Sequence, residues 1–148
     1  MAENLNYQSG TSWCYDNDCK RYGRLYNWET ARSVCPGGWH LPSLGEWNEL
    51  VNTAGGSSAG AALKSRSGWN YDKNGTDKFG FSALPGGYRD GNTVNFNRAG
   101  ELSYWWTASE SGGKAAYYRG VYDYKDDVIE AAIVVKAGFG FSVRCLQN

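Results

Sequence analysis

His40 is the chain's one histidine, and Cys14, Cys19, Cys35 and Cys145 are its four cysteines. A metal, nucleophilic or redox centre has to be built around those five side chains. Zinc sites take three or four N or S ligands, and a hydrolytic triad needs a histidine held between a nucleophile and a carboxylate. His40 lies in Trp39-His40-Leu41-Pro42, between two helical patterns. It is read there as a histidine satisfied by backbone groups near the core, not as a general base. An even number of cysteines in a short, Trp-rich chain points to disulfides made in an oxidising compartment, and four cysteines allow three pairings. No catalytic residue and no resident cofactor is assigned.

Hard cations ask for several carboxylate and carbonyl oxygens at alternating loop positions. Asp72, Asn74 and Asp77 in the run DKNGTD, residues 72–77, are the calcium candidates, and Asp16-Asn17-Asp18 is a second oxygen cluster. Neither carries a full ligand set, and a turn with Asx hydrogen bonds accounts for the first run as well.

The remaining chemistry is that of contact. With 7 Trp and 11 Tyr among 148 residues, the chain carries more large rings than a small core needs. Trp28, Trp39, Trp47, Leu50, Phe79, Phe81 and Val143 are expected to fill that core, with Trp69 unassigned. The aromatics of YWWTAS (104–109) and AAYYRGVYDY (115–124) are then expected partly in solvent. Neighbours along a strand point to opposite faces, so one of Trp105 and Trp106 is expected inside and the other outside. The same alternation puts one of Tyr117 and Tyr118 inside and the other outside without deciding which, and Tyr117 and Arg119 are favoured as the outward pair. Tyr and Arg dominate binding hot spots, which makes Trp105, Trp106, Tyr117, Arg119, Tyr122, Tyr124 and Lys125 the candidate ligand-binding residues.

The elements that position these residues follow from periodicity. Leu25, Trp28, Ala31 and Cys35 recur at helical spacing, and Pro36-Gly37-Gly38 ends that pattern. Ser43 and Glu46 form a capping box ahead of a second helix with Trp47, Leu50, Val51 and Ala54 along one stripe. Residues 55–101 read as a long packed loop region with short strands. Strand patterns at 104–109, 115–124, 128–135 and 140–146 predict a terminal antiparallel sheet. The whole is expected to be one domain, 1–148, of α+β class. Lys plus Arg and Asp plus Glu are 15 each, so no net field draws nucleic acid or an anionic membrane. No run approaches the roughly 18 apolar residues of a membrane span. Met1-Ala2 reads as an added start, leaving room for a signal peptide and further domains in the natural protein.

Five blocks in fixed order, YGRLYNWETA, CPGGWHLPSLGEWNEL, GTDKFGFSALPGGYR, YWWTAS and GFSVRC, span residues 22–145. Together they resemble the Fibrobacter succinogenes major paralogous domain, and their order of elements is similar to that of C-type lectins. The resemblance implies a C-type-lectin-like fold with two helices near the N-terminus, a long loop region, a C-terminal sheet and chain ends close together. It also implies the pairs Cys35–Cys145 and Cys14–Cys19. The Glu-Pro-Asn or Gln-Pro-Asp triplet and the Trp-Asn-Asp motif of calcium-dependent sugar-binding lectins are absent. Formylglycine-generating enzymes share the broader fold, but the reactive thiol pair of that chemistry has no counterpart once Cys145 is committed to a bridge.

The function expected from this reading is recognition: a secreted or cell-surface bacterial module that binds a protein or carbohydrate, displayed on a cell surface, fimbrial tip or phage fibre. A sharper form is a variable protein of a diversity-generating retroelement, with varied residues within 104–127. The competing expectations are a formylglycine-generating type of enzyme and a structural domain of a surface or phage-fibre protein.

Overall fold

The computed structural model describes residues 1–128 and 132–148. In chain order the elements are β1 (Ser12–Trp13), α1 (Cys19–Tyr22), β2 (Leu25–Tyr26), α2 (Trp28–Ala31), β3 (Trp39–His40), α3 (Leu44–Thr53) and α4 (Ala59–Leu63). They continue with β4 (Tyr88–Arg89), β5 (Phe96–Asn97), β6 (Leu102–Glu110), β7 (Ala115–Tyr122), β8 (Ala132–Val135), β9 (Phe141–Ser142) and β10 (Leu146–Gln147). The class is α+β. Among the described residues no helix is long and apolar enough to cross a membrane.

The β6–β7 hairpin is the centre of a sheet ordered β1-β2-β9-β6-β7-β8. Its neighbours pair antiparallel except β6 and β9, which run parallel through Trp105 and Ser142. The expected terminal sheet thus includes N-terminal strands and one parallel pair. The stretch expected as a single strand over 140–146 divides into β9, an irregular turn and β10, which pairs with β3. Of the strand pattern at 128–135, residues 129–131 lie outside the described residues.

Both faces of β6 are covered. On one side Trp106 packs with Trp28, Tyr26, Ala116, Phe141 and Val143. On the other Trp105 packs with Trp47, Leu63, Trp69 and Val121 under α3 and α4. The two indoles do point to opposite faces, as alternation requires, yet they are only 1% and 0% exposed. Each has a polar tie: Trp106 Nε1 donates to the Tyr26 carbonyl at 2.7 Å and Trp105 Nε1 to Asn4 Oδ1 at 2.9 Å. Neither is a surface anchor, because alternation sets which way a side chain points and not whether a layer covers it.

The first helix is shorter than its periodicity suggests. Leu25 and Tyr26 are strand residues between β1 and β9, and the Asn27 side chain accepts from Thr30 N to start α2 only at Trp28. The same three- to four-residue spacing buries a strand, a cap and one helical turn in series. α3 forms as predicted, with the capping box complete: Ser43 Oγ accepts from Glu46 N, and Ser43 N donates to Glu46 Oε2 at 2.7 Å. Within the expected loop region α4 is an added helix. Trp69 is buried, with its Nε1 donating to Ser65 Oγ and the Ala83 carbonyl, whereas Phe79, expected in the core, is exposed.

Cys14 is bonded to Cys19 and Cys35 to Cys145, the pairing the resemblance implies. The ends of the chain lie together: Leu5 N donates to the Val143 carbonyl at 2.9 Å, and the Met1 ammonium donates to the Cys145 carbonyl at 2.9 Å.

Candidate functional site, a tyrosine face on the central hairpin

Tyr118 and Tyr122 are four residues apart on β7 and share a face. Across the hairpin Tyr104 stands directly opposite Gly120, between them, where the absence of a side chain on Gly120 leaves room for its ring. Tyr104 lies 4.9 Å from Tyr118 and 6.2 Å from Tyr122, centroid to centroid. Tyr88 of β4 packs on Tyr104 at 5.3 Å, and Tyr124, just past β7, lies 5.0 Å from Tyr122. Beneath them Phe141 contacts Tyr104 and Tyr118 and stacks on Trp106 at 4.2 Å, anchoring the cluster to the core. Such edge and tilted ring pairs each contribute about 0.5–1.5 kcal/mol beyond their buried area.

The hydroxyls of Tyr104 and Tyr122 are 3.0 Å apart. Burial, then the hydrogen bond to Tyr122, raises the Tyr104 pKa far above the usual phenol value. Burial raises Tyr118 and Tyr88 too, helped by neighbouring Tyr122 in the first case and Asp90 in the second. These phenols are neutral at physiological pH, so the face offers rings and neutral hydroxyls, not a base. Tyr124 is 65% exposed and the other four are half-buried. The loop bearing Tyr124 is fixed from below by Lys64, whose buried ammonium donates to the Tyr122 and Lys125 carbonyls, each at 3.3 Å. Burial lowers the Lys64 pKa, while Asp126 and Asp123 oppose the shift.

Of the predicted ligand-binding residues, Tyr122 and Tyr124 meet here and Lys125 is exposed beside them. Tyr117 and Arg119 go to the opposite face. Arg119, expected in solvent, is 5% exposed and donates to Asn48 of α3, while half-buried Tyr117 pairs in register with exposed Ile133. α3 covers Arg119, which overturns its outward assignment, whereas Tyr117 is half-buried, as is Tyr118 on the other face. Tyr88, Tyr104 and Tyr118 were not singled out from the sequence. The four-residue step from Tyr118 to Tyr122 and the two-residue step from Tyr104 to Trp106 were the signals available for two of them.

Two of the three calcium candidates, Asn74 and Asp77, are engaged with neighbouring turns. Asn74 Oδ1 accepts from Trp69 N at 3.1 Å, and the Asp77 carboxylate takes Ser82 N and Ser82 Oγ, each at 2.6 Å. Asp18 caps α1 through Lys20 N. Among the described residues no group of three His, Cys, Asp or Glu is arranged to hold a metal. His40 is held by side chains, not by the backbone groups expected: Nδ1 is 2.6 Å from Asn148 Oδ1 and Nε2 is 2.9 Å from Glu46 Oε1.

A family model described as the Fibrobacter succinogenes major domain matches residues 1–147. Comparison with curated proteins and with solved structures gave no match.

Proposed function

The chain belongs to the Fibrobacter succinogenes major domain family, and from that premise we propose that it is a recognition module with a C-type-lectin-like fold, secreted or displayed on a bacterial surface, whose ligand is a protein or a glycan. The observation that carries this reading is the tyrosine face. Five rings on a disulfide-braced sheet present adaptable hydroxyls and apolar area that cost little entropy to immobilise. Contiguous exposed aromatic surface is a solubility liability unless a partner covers it. A purely structural domain gives no reason to leave Tyr124 in water beside Tyr122. The formylglycine-generating reading needs a reactive thiol, and all four cysteines are committed to bridges. In a diversity-generating retroelement the same face would be a display surface, with Tyr104, Tyr118, Tyr122 and Tyr124 inside the 104–127 window.

The test compares affinity with melting temperature, using the best hit from a glycan array or from a surface-protein panel as the probe. Tyr124→Ala and Tyr118→Ala are expected to lower affinity by about 1–4 kcal/mol. Tyr124→Ala leaves the melting temperature unchanged, and Tyr117→Ala on the opposite face leaves affinity unchanged. Full affinity in both Tyr118→Ala and Tyr124→Ala removes the tyrosine face as the site.

A further inference from the structure

A second concavity lies away from the tyrosine face. The N-terminal segment 2–6, α1 and the loop 65–84 enclose a cavity of about 540 Å³ whose basic lining residues are Lys20, Arg21, Arg66 and Arg144. It continues past Arg21 and Tyr22, which line both halves, into a cavity of about 280 Å³ that includes Tyr15, Asp16, Asp18 and Asn70. Cavities of a few hundred cubic ångströms are the size of small-ligand and oligosaccharide subsites.

Arg144 sets the chemistry. Its side chain is buried, and among the described residues the acceptors it reaches are neutral: Asn4 Oδ1 at 2.9 Å and the carbonyls of Ala2, Phe81 and Ser82. A buried cation without a paired carboxylate is costly, and its field is weakly screened in the low-dielectric direction. Burial pushes its pKa down to about 9, opposed by Asp77 and Glu3, so it remains charged at neutral pH. Asp77 is occupied by Ser82. Among the described residues Lys20, Arg21 and Arg66 take part in no ion pair. On a chain with no net charge, the near cavity sets four basic side chains against the carboxylates of Glu3 and Asp77, a local surplus of positive charge.

The far half is different. There the rings of Tyr15 and Tyr22 meet edge-on at 6.4 Å, with Asp16, Asp18 and Asn70 around them. That end offers acceptors for hydroxyls and repels a second anion. A ligand with a charge on every unit, such as a nucleic acid or a polyglutamate segment, is opposed there, whereas a sugar chain with an acidic residue at one end satisfies both halves.

We propose that this groove binds an acidic oligosaccharide, with its carboxylate or sulfate group on Lys20, Arg21 and Arg66 above Arg144 and its neutral units along Tyr15, whose ring is backed by buried Tyr22. The anion adds to the partial counter-charge that Asp77 and Glu3 give Arg144, and because it binds only the folded chain it raises stability as well as occupying the groove.

Titration calorimetry and thermal melting test this with uronate-bearing oligosaccharides, sulfated oligosaccharides, neutral oligosaccharides of equal length and a polyglutamate peptide. At least one acidic series is expected to bind and to raise the melting temperature, with affinity falling as salt rises. The series that binds identifies carboxylate or sulfate as the group recognised. The exposed double variant Lys20→Glu/Arg66→Glu is expected to lose at least tenfold in affinity with an unchanged melting temperature of the unliganded protein. Tyr124→Ala should bind the acidic sugar as well as the parent does, which separates this site from the tyrosine face. The proposal is overturned if no acidic sugar binds, if neutral sugars or polyglutamate bind as tightly, or if the double variant keeps full affinity.

Discussion

His40 faces two oxygens, Asn148 Oδ1 and Glu46 Oε1, and only the doubly protonated ring can donate to both. The hydrogen bond to Asn148, then that to Glu46, raises its pKa above 6.5. For Glu46 partial burial pulls upward, but hydrogen bonds from Ser43 and His40 outweigh it and lower the pKa below 4.5. A raised histidine contributes stability that is fully present below its unfolded pKa and is lost as pH rises through the folded value. A depressed glutamate contributes above its unfolded pKa and loses that contribution as pH falls through the folded value. The contact is therefore strongest between about pH 4.5 and 6.5. Denaturant unfolding of the parent and His40→Gln across pH should show a stability gap, below about 1 kcal/mol for so exposed a pair, that closes on the alkaline side. Because the chain has no other histidine, the ring-proton NMR titration of His40 gives the raised pKa directly. A value at or below 6.5 would contradict the geometry.

Among the elements, α3 is the one the sequence states most fully, since Ser43, Glu46 and a four-residue apolar stripe all agree over ten residues. Ser43→Ala removes the acceptor for Glu46 N and should cost about 1 kcal/mol, read as a lower denaturation midpoint with unchanged slope. The effect reaches the sheet, because the start of the helix also docks on β6 through Leu44 N and Ser109 Oγ at 3.0 Å. Two- and four-residue elements such as β2 and α2 were not legible, because tertiary neighbours decide their state and local periodicity fits several. The candidate site was half legible for the same reason. Alternation separates Tyr117 from Tyr118 correctly, but the covered face is determined by the return of α3 over β7, which no local pattern encodes. The covering of both indoles in YWW likewise depends on layers contributed by residues such as Trp28, Trp47, Trp69 and Phe141, some 35–80 positions away.

At the scale of the molecule the two bridges differ in reach. Cys35–Cys145 spans 110 residues of sequence and Cys14–Cys19 spans 5. In the chain-entropy account a loop of about 100 residues is worth roughly 4–5 kcal/mol and a loop of about 5 residues roughly 2. Against a total stability of about 5–15 kcal/mol, Cys35→Ser/Cys145→Ser should unfold at a much lower temperature. Cys14→Ser/Cys19→Ser should lose less than half as much; equal losses in calorimetry would show that strain, not loop closure, governs the bridges. The long bridge also bears on how the domain carries load. If the two chain ends are pulled apart, the tension passes across the Cys35–Cys145 bond and bypasses what lies between. Only the leading 35 residues and the last few can be drawn out, roughly 130 Å of chain instead of roughly 500 Å. The tyrosine face, on strands inside the bypassed loop, would keep its shape while the ends are stretched, as a grip that has to hold under flow requires.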